Sequence, residues 1–233
     1  MNSCSIIQPA FLPWIGYFEI INKSDNFVFL DNVQYVKRSW VNRNYISQKD
    51  KKILISLPVK TKLKYYQKIN EVELYDFKTT RKKHLNTFTH VYRRSINFSN
   101  YFPFINEIYS NTNSNNLSDF LINSLIKISD LIGINTKFYK ASQLNLKSIE
   151  PNERIIEICK KLDVKNYFSG PSAKNYIDNK LFANNDIKLS FIKYKKENMY
   201  NQYQNKNFLD KMSIIDYIFN NKKILFQGFD IEN

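Results

Sequence analysis

The chain has 233 residues, the size of one ordinary α/β domain, and its 35 Lys and Arg against 21 Asp and Glu give a formal charge of +14. Two cysteines, Cys4 and Cys159, exclude a disulfide framework, and no apolar run is long enough to cross a bilayer. The charge invites an anionic partner, but the basic residues are spread along the chain and interleaved with acids such as Glu71, Glu73 and Asp76 ahead of Arg81-Lys82-Lys83, so a dedicated nucleic-acid face is not expected.

The opening residues, Met1-Asn2-Ser3-Cys4, have neither the basic segment nor the apolar stretch of a secretory signal, so a soluble, cytoplasmic protein without a membrane span is expected. Ile6-Ile7 reads as a short strand stopped by Pro9 and Pro13, after which Trp14, Tyr17, Phe18 and Ile21 recur at helical spacing. Phe27 to Leu30 is a continuous apolar run between Asp25-Asn26 and Asp31-Asn32, which predicts a strand buried on both faces. A βαβ unit therefore opens the chain.

Ile53 to Val59 predicts a strand ended by proline, Lys60 to Lys68 a polar and aromatic loop, and the alternation of Ile69 to Tyr75 a second short strand. Leu85, Phe88, Val91 and Tyr92 recur at helical spacing, as do Phe104, Ile105, Ile108 and Tyr109. Ser114 to Ser118 caps an amphipathic helix on Leu117, Leu121, Leu125 and Ile128, ended at Gly133. Alternation then resumes: a strand at Lys137 to Tyr139, a helix opened by Pro151-Asn152-Glu153, a strand at Asn166 to Phe168, a turn and helix to about Tyr176, a strand from Ile187, and a helix from Met212 to Phe219. Ser213-Ile-Ile-Asp216 fits a capping box at the start of that last helix. Residues 1–233 are expected to form one α/β domain, an open, mostly parallel, Rossmann-like sheet with a helical middle region at about residues 79–133.

Open parallel sheets bind ligands beyond the carboxyl ends of their strands, where this chain carries Gln8 and Asp31-Asn32. Between Asp31 and Asn44, Lys37, Arg38 and Arg43 supply cations and Gln34, Asn42 and Asn44 supply amides, beside Tyr35 and Trp40. Such a set suits a phosphorylated, hydroxyl-rich ligand, although a solvated basic hairpin accounts for the same charges. Asp31 is the candidate general base or amine-orienting carboxylate, with turn capping as its alternative, and Asp31→Asn is then expected to lower turnover with little loss of stability. Trp14 and Tyr17 are substrate contacts or core residues. The turn Ser169-Gly170-Pro171-Ser172-Ala173 follows an apolar strand, and its amides and hydroxyls suit a phosphate or carboxylate through Ser169, Gly170 and Ser172; Ser172 as a plain helix cap is the rival reading.

His84 is the candidate proton acceptor at neutral pH if its helix faces the cleft, and otherwise an exposed or capping histidine. It lies six residues from His90, so the two occupy different faces of a helix, and with no Cys pair or acidic cluster beside them no metal site is expected. Cys4 and Cys159 are expected to be small core hydrophobes rather than acyl-carrying nucleophiles.

The motifs Gln8-Pro-x-x-Leu-Pro-Trp-x-Gly-Tyr-Phe18, Leu30-Asp-x-Val-Gln-Tyr-x-Lys-Arg-Ser-Trp-x-Asn-Arg-Asn44, Ser169-Gly-x-Ser-Ala173 and Ser213-Ile-Ile-Asp216 resemble the WbqC-like family over about Ile6 to Asn220. Members of that family sit mostly in bacterial surface-polysaccharide and O-antigen (lipopolysaccharide) biosynthesis, in association with amino-sugar modification. The resemblance implies a transferase that N-acylates or aminoacylates a nucleotide-linked amino sugar, the donor being an acyl-CoA or other thioester, an acyl carrier protein or an amino acid. Ser169, Gly170 and Ser172 with Lys37, Arg38 or Arg43 would hold phosphates, and Asp31 or His84 would take the amine proton. The strand, Pro-rich loop and Gly16 helix are also similar, more distantly, to the nucleotidyltransferase-like fold that includes pantoate ligases. Those enzymes place two histidines around the first-loop glycine where this chain has Trp14 before Gly16. That likeness gives the alternative of an amide ligase using ATP with magnesium; a non-catalytic sugar-nucleotide or RNA-binding module is the alternative outside enzymes.

Overall fold

The computed structural model describes residues 2–110, 114–194, 200–221, 226 and 229–232. β1 (Ser3–Ile7), α1 (Ile15–Lys23) and β2 (Asn26–Phe29) form the opening βαβ unit, with Ile7 opposite Phe29 in parallel register. A two-stranded antiparallel hairpin of β3 (Arg43–Gln48) and β4 (Lys51–Ser56) follows, then three helices, α2 (Phe77–Tyr92), α3 (Phe98–Ser110) and α4 (Leu117–Leu131). The rest alternates: β5 (Lys137–Lys140), α5 (Pro151–Lys161), β6 (Asn166–Ser169), α6 (Asn179–Ala183), β7 (Lys188–Tyr194), α7 (Ile214–Asn220) and β8 (Phe229–Glu232). The main sheet runs β5-β2-β1-β6-β7-β8, parallel throughout except for antiparallel β8, and is an open, Rossmann-like α/β sheet.

The pleat of β2 explains why its apolar run is continuous. Phe27 and Phe29 point into one core with α1, α4 and α7, while Val28 points to the other face with Cys4, Ile6 and the α5 residues Ile155, Ile158 and Cys159. All three β2 residues are fully buried, so an alternating polar pattern there would have cost one face of the core. Both cysteines sit in the second core, and burial pushes the Cys159 thiol up to about 12, the opposite of what a thiolate nucleophile requires.

Two segments differ from expectation. Ile69 to Tyr75 is not a strand: Ile69–Glu71 is a 3-10 turn, and Glu73 and Leu74 make only single bridges, to Asn116 and Val59. The Glu71 carboxylate accepts the Lys68 amide and closes that turn, while the Ile69 and Asn70 amides donate to the Val33 and Asp31 carbonyls. The strand reached by Ile53 starts earlier, at Lys51, and β3 is its partner. Their two-residue turn uses Lys49 and Asp50 at φ 49° and 60°, the left-handed conformation in which glycine or asparagine is usual. Asp50 compensates by accepting the Lys206 and Asn207 amides. Among the described residues no helix is long and apolar enough to cross a membrane.

Candidate functional site

The connection after β1 runs to β2 on one side and the connection after β6 runs to β7 on the other, so the order of the sheet reverses between β1 and β6. Beyond the carboxyl ends of these two strands lie Gln8 and Gly170, at the position where open α/β sheets bind ligands in a crevice. The Pro-rich loop from Gln8 to Trp14 follows β1 directly. Its Leu12 adopts φ 43°, a conformation that costs a non-glycine residue about 1–3 kcal/mol.

That cost is offset by bonds from three other segments. The Leu12 carbonyl accepts from Asn44 Nδ2 at 2.7 Å and from Ser213 Oγ at 2.8 Å, Phe11 N–H donates to the Trp40 carbonyl, and Ile214 N–H donates to the Pro13 carbonyl. Tyr17 Oη supports the base of the loop by donating to the Gln8 carbonyl at 3.0 Å. Trp14 folds back so closely that a Cβ on Gly16 would stand 2.3 Å from its indole, and the ring rests edge-on against Tyr194 at 4.8 Å. Lys211 Nζ lies 5.9 Å above the same ring.

The stretch after β2 lies beside this loop, joined to it by the bond from the Phe11 amide to the Trp40 carbonyl. Its half-buried side chains hold buried atoms without hydrogen-bond partners inside the protein: Asn32 Oδ1, Ser39 Oγ, Asn42 Oδ1 and Arg43 Nε, with Gln67 Oε1 and Asn70 Oδ1 from the segment bridged to it at Gln34 and Lys68. Those six are two thirds of the nine such atoms among the described residues, so the shortfall is local rather than general. Each buried, unpaired group costs about 1–3 kcal/mol until water or a ligand meets it. The Arg43 guanidinium lies 5.9 Å from the Trp40 ring, and its charge opposes the rise that burial imposes on the Tyr35 phenol.

The candidates of the sequence differ in burial and in partners. Gln8, Lys37, Arg38 and Trp40 are exposed; Trp40 is 57% accessible, Lys37 Nζ lies over Tyr65 at 5.2 Å, and Arg38 takes a left-handed φ of 61°. Asn42 and Arg43 carry the unpartnered atoms, although Asn42 Nδ2 also donates to the Leu57 carbonyl. Asn44 and Tyr17 are buried and serve the Pro-rich loop. Ser169 is buried with its Oγ near Tyr167 Oη. Gly170 borders open space, and the short 3-10 turn Pro171–Asn175 that it opens has no side-chain cap. The backbone of Ser172 belongs to that turn, while its side chain lies outside the described residues.

The two carboxyl and imidazole candidates are deeply set. Asp31 is 1% exposed and accepts both the amide and the hydroxyl of Ser142, at 2.9 and 2.7 Å, tying the end of β2 to the turn that follows β5. His84 is 7% exposed, packed 5.6 Å from the Phe11 ring, with Nδ1 2.9 Å from Tyr109 Oη. Burial holds its pKa down at about 4 against an opposing hydrogen bond that the ring donates to the Ser56 carbonyl, so the ring is neutral at pH 7.

One buried acid was hidden in the sequence by its resemblance to a capping box. Ser213 does cap α7, but its amide donates to the Tyr45 carbonyl, and Asp216 turns the other way. Fully buried, the Asp216 carboxylate accepts from Ser47 Oγ and Tyr92 Oη at 2.5 Å each, Tyr200 Oη at 2.7 Å and Gln202 Nε2 at 3.1 Å. Burial raises its pKa while these hydroxyls oppose the rise. The available signal was a single acid inside Ile214-Ile215-Asp216-Tyr217-Ile218-Phe219, since a charge on an all-apolar helix must find partners.

Among known proteins, the model of the WbqC-like protein family matches residues 8–225. An uncharacterized protein of Mycobacterium tuberculosis, Rv1507c, is 31% identical over 220 residues, which cover 94% of each chain. No solved structure gives a significant match.

Proposed function

The chain belongs to the WbqC-like protein family, and from that premise we propose that it binds a nucleotide-linked amino sugar over the β1–β6 crevice and N-acylates or aminoacylates it during surface-glycan assembly. The observation that carries this reading is the local shortfall of hydrogen bonds at Asn32, Ser39, Asn42, Arg43, Gln67 and Asn70. Amide and hydroxyl acceptors beside a guanidinium N–H are the complement of a ligand rich in hydroxyls and carrying phosphate. Arg43 would take a phosphate oxygen, the amides the sugar hydroxyls, and Trp14 or Trp40 an apolar ring face. The Pro-rich loop, held from four sides, would keep the ligand in one pose while the amine meets the acyl carbon.

A second reading, a sugar-nucleotide-binding module without chemistry of its own, is favoured by a specific observation. Both Asp31 oxygens and the His84 ring are engaged by neighbouring residues. A thermal-shift series with nucleoside-diphosphate amino sugars, acyl-CoA thioesters, ATP with magnesium and a short RNA separates these ideas. The transferase reading expects the largest shift from the sugar nucleotide and product from sugar nucleotide plus thioester without ATP. Binding with no product from any donor, amino acid with ATP included, supports the module. RNA binding with a steep salt slope and no response to sugar nucleotides would overturn both.

A further inference from the structure

At the far end of the β3–β4 hairpin a cavity of about 110 Å³ opens between three segments. Gln48 and Lys49 come from the hairpin turn, Arg93 and Arg94 from the residues that end α2, and Tyr203 and Gln204 from the loop before α7. His90, in the last turn of α2, completes the lining, which holds no carboxylate. Lys49, Arg93 and Arg94 form no salt bridge among the described residues. Asp50, which follows Lys49 in the chain, is not in the lining, and its Oδ1 accepts the Lys206 and Asn207 amides.

The three segments are not placed independently. Ser47, Tyr92 and Gln202 are the residues immediately before the three lining pairs, and all three donate to the buried Asp216 carboxylate. One buried acid therefore fixes the backbone from which each pair projects. The loop is held further by the Tyr203 amide on Asn220 Oδ1 and by the Asp50 amide on Asn205 Oδ1. The cations are thus presented on an internally bonded frame, so binding an anion there costs little ordering.

We propose that this cavity is a binding site for a single phosphate group of a small ligand, separate from the crevice at the carboxyl edge of the sheet. Size sets the class. A water needs about 10–15 Å³ of such volume, so the cavity holds several waters or one phosphate, and a whole nucleotide would have to extend outside it. Charge sets the sign, with two guanidinium groups able to grip phosphate oxygens in pairs and an ammonium beside them. The environment already favours negative charge on the protein's own phenol: the Gln204 side chain, then Arg94 and Arg93, hold Tyr203 below its usual pKa. The site is distinct from Arg43 because five residue steps of β3 separate Arg43 from Gln48, about 16 Å at the usual strand rise.

The test is calorimetric titration of the full chain with inorganic phosphate, and in parallel with a nucleoside 5′-monophosphate, at fixed ionic strength. The comparison is wild type, Arg93→Gln/Arg94→Gln, Lys49→Gln and Lys82→Gln. The proposal expects phosphate binding that weakens at least about tenfold in the double arginine variant, weakens less in Lys49→Gln, and is unchanged in Lys82→Gln, an exposed α2 residue outside the cavity. Equal affinity for the two probes would identify the phosphate alone as the ligand. A tighter nucleotide whose advantage vanishes in the double variant would identify a nucleotide phosphate. Both arginines are exposed, and urea midpoints within error of wild type would confirm that the variants are folded. Absence of phosphate binding by the wild type, or affinity in the double variant within error of wild type, would overturn the proposal.

Discussion

Two buried polar regions lie at opposite ends of β3, and they are built on opposite principles. Around Asp216, near Ser47, the acid is surrounded by four donors that converge from three other segments. Around Arg43, four side chains of the stretch after β2 are half-buried rather than fully enclosed, and each has a buried atom that no protein group meets. A closed network earns its place through the fold, because every partner it needs is already present. An open one loses stability in the free protein and recovers it when something external supplies the missing bonds. The difference assigns framework to the Asp216 end and ligand binding to the Arg43 end, and both assignments can be broken.

The largest effect is expected at the closed end. Asp216→Ala strands three hydroxyls and an amide in a dry interior, so unfolding free energy should fall by about 4 kcal/mol or more, read from urea titration. Asp216→Asn keeps an acceptor and should cost less. Because burial places the folded pKa of Asp216 above its ordinary 3.8, its proton stabilises the fold below that value, and the benefit is lost as pH rises through the folded pKa. The stability of Asp216→Asn relative to wild type should therefore improve from pH 3.5 to pH 7. A gap that widens instead would mean that the donors outweigh burial and that the site is built for a full charge.

His84 gives the next effect and the opposite sign. Its pKa falls from 6.5 to about 4 on folding, so its contribution is complete above 6.5 and is lost as pH falls towards 4. By pH 4.5, two units below the free value, the loss should reach about 2–3 kcal/mol at about 1.36 kcal/mol per unit. His84→Phe, which fits the aromatic cluster of Phe11, Phe88 and Tyr109, should flatten that part of the profile. If the slope survives the substitution, some other group titrates and His84 is more accessible than its packing shows.

These two residues also mark where the sequence stops being informative. The βαβ opening, the buried β2 and the alternation after residue 137 were legible because apolar periodicity and proline stops act locally. The hairpin was not, since Arg43-Asn44-Tyr45-Ile46-Ser47-Gln48 alternates weakly and its turn, Lys49-Asp50, lacks glycine. In the site, position in the chain suggested Asp31, Arg43 and Gln8, but partners decide chemistry. That Ser142 would occupy Asp31, Tyr109 would face His84 and Tyr92 would reach Asp216 depends on contacts 25 to 124 residues apart. Asp216 shows the trap most clearly, since a local motif explained it before its distant partners were known.

Asp31 tests the boundary between the two regions. The sequence reading expects Asp31→Asn to spare stability, but an amide nitrogen would face one of the two Ser142 donors, so a loss of about 1–2 kcal/mol is expected. Comparing turnover per folded molecule with the loss of stability separates the roles. A framework Asp31 loses activity only in step with folded protein, whereas a reacting or amine-orienting carboxylate loses turnover beyond it.

The smallest effect on stability belongs to Arg43→Lys, and it is the sharpest probe of the open end. Arg43 Nε has no partner in the protein, so lysine forfeits no internal hydrogen bond from that atom and the change in unfolding free energy should stay within about 0.5 kcal/mol. What lysine cannot supply is the planar fork, which grips two oxygens of one phosphate, or the flat face that meets Trp40. Affinity for a nucleoside-diphosphate sugar should therefore drop about tenfold or more while the protein stays folded, since bonds to a charged group are worth about 1.5–3 kcal/mol. A fall in stability without a change in ligand affinity would place Arg43 with the framework, and the contrast between the two ends of β3 would disappear.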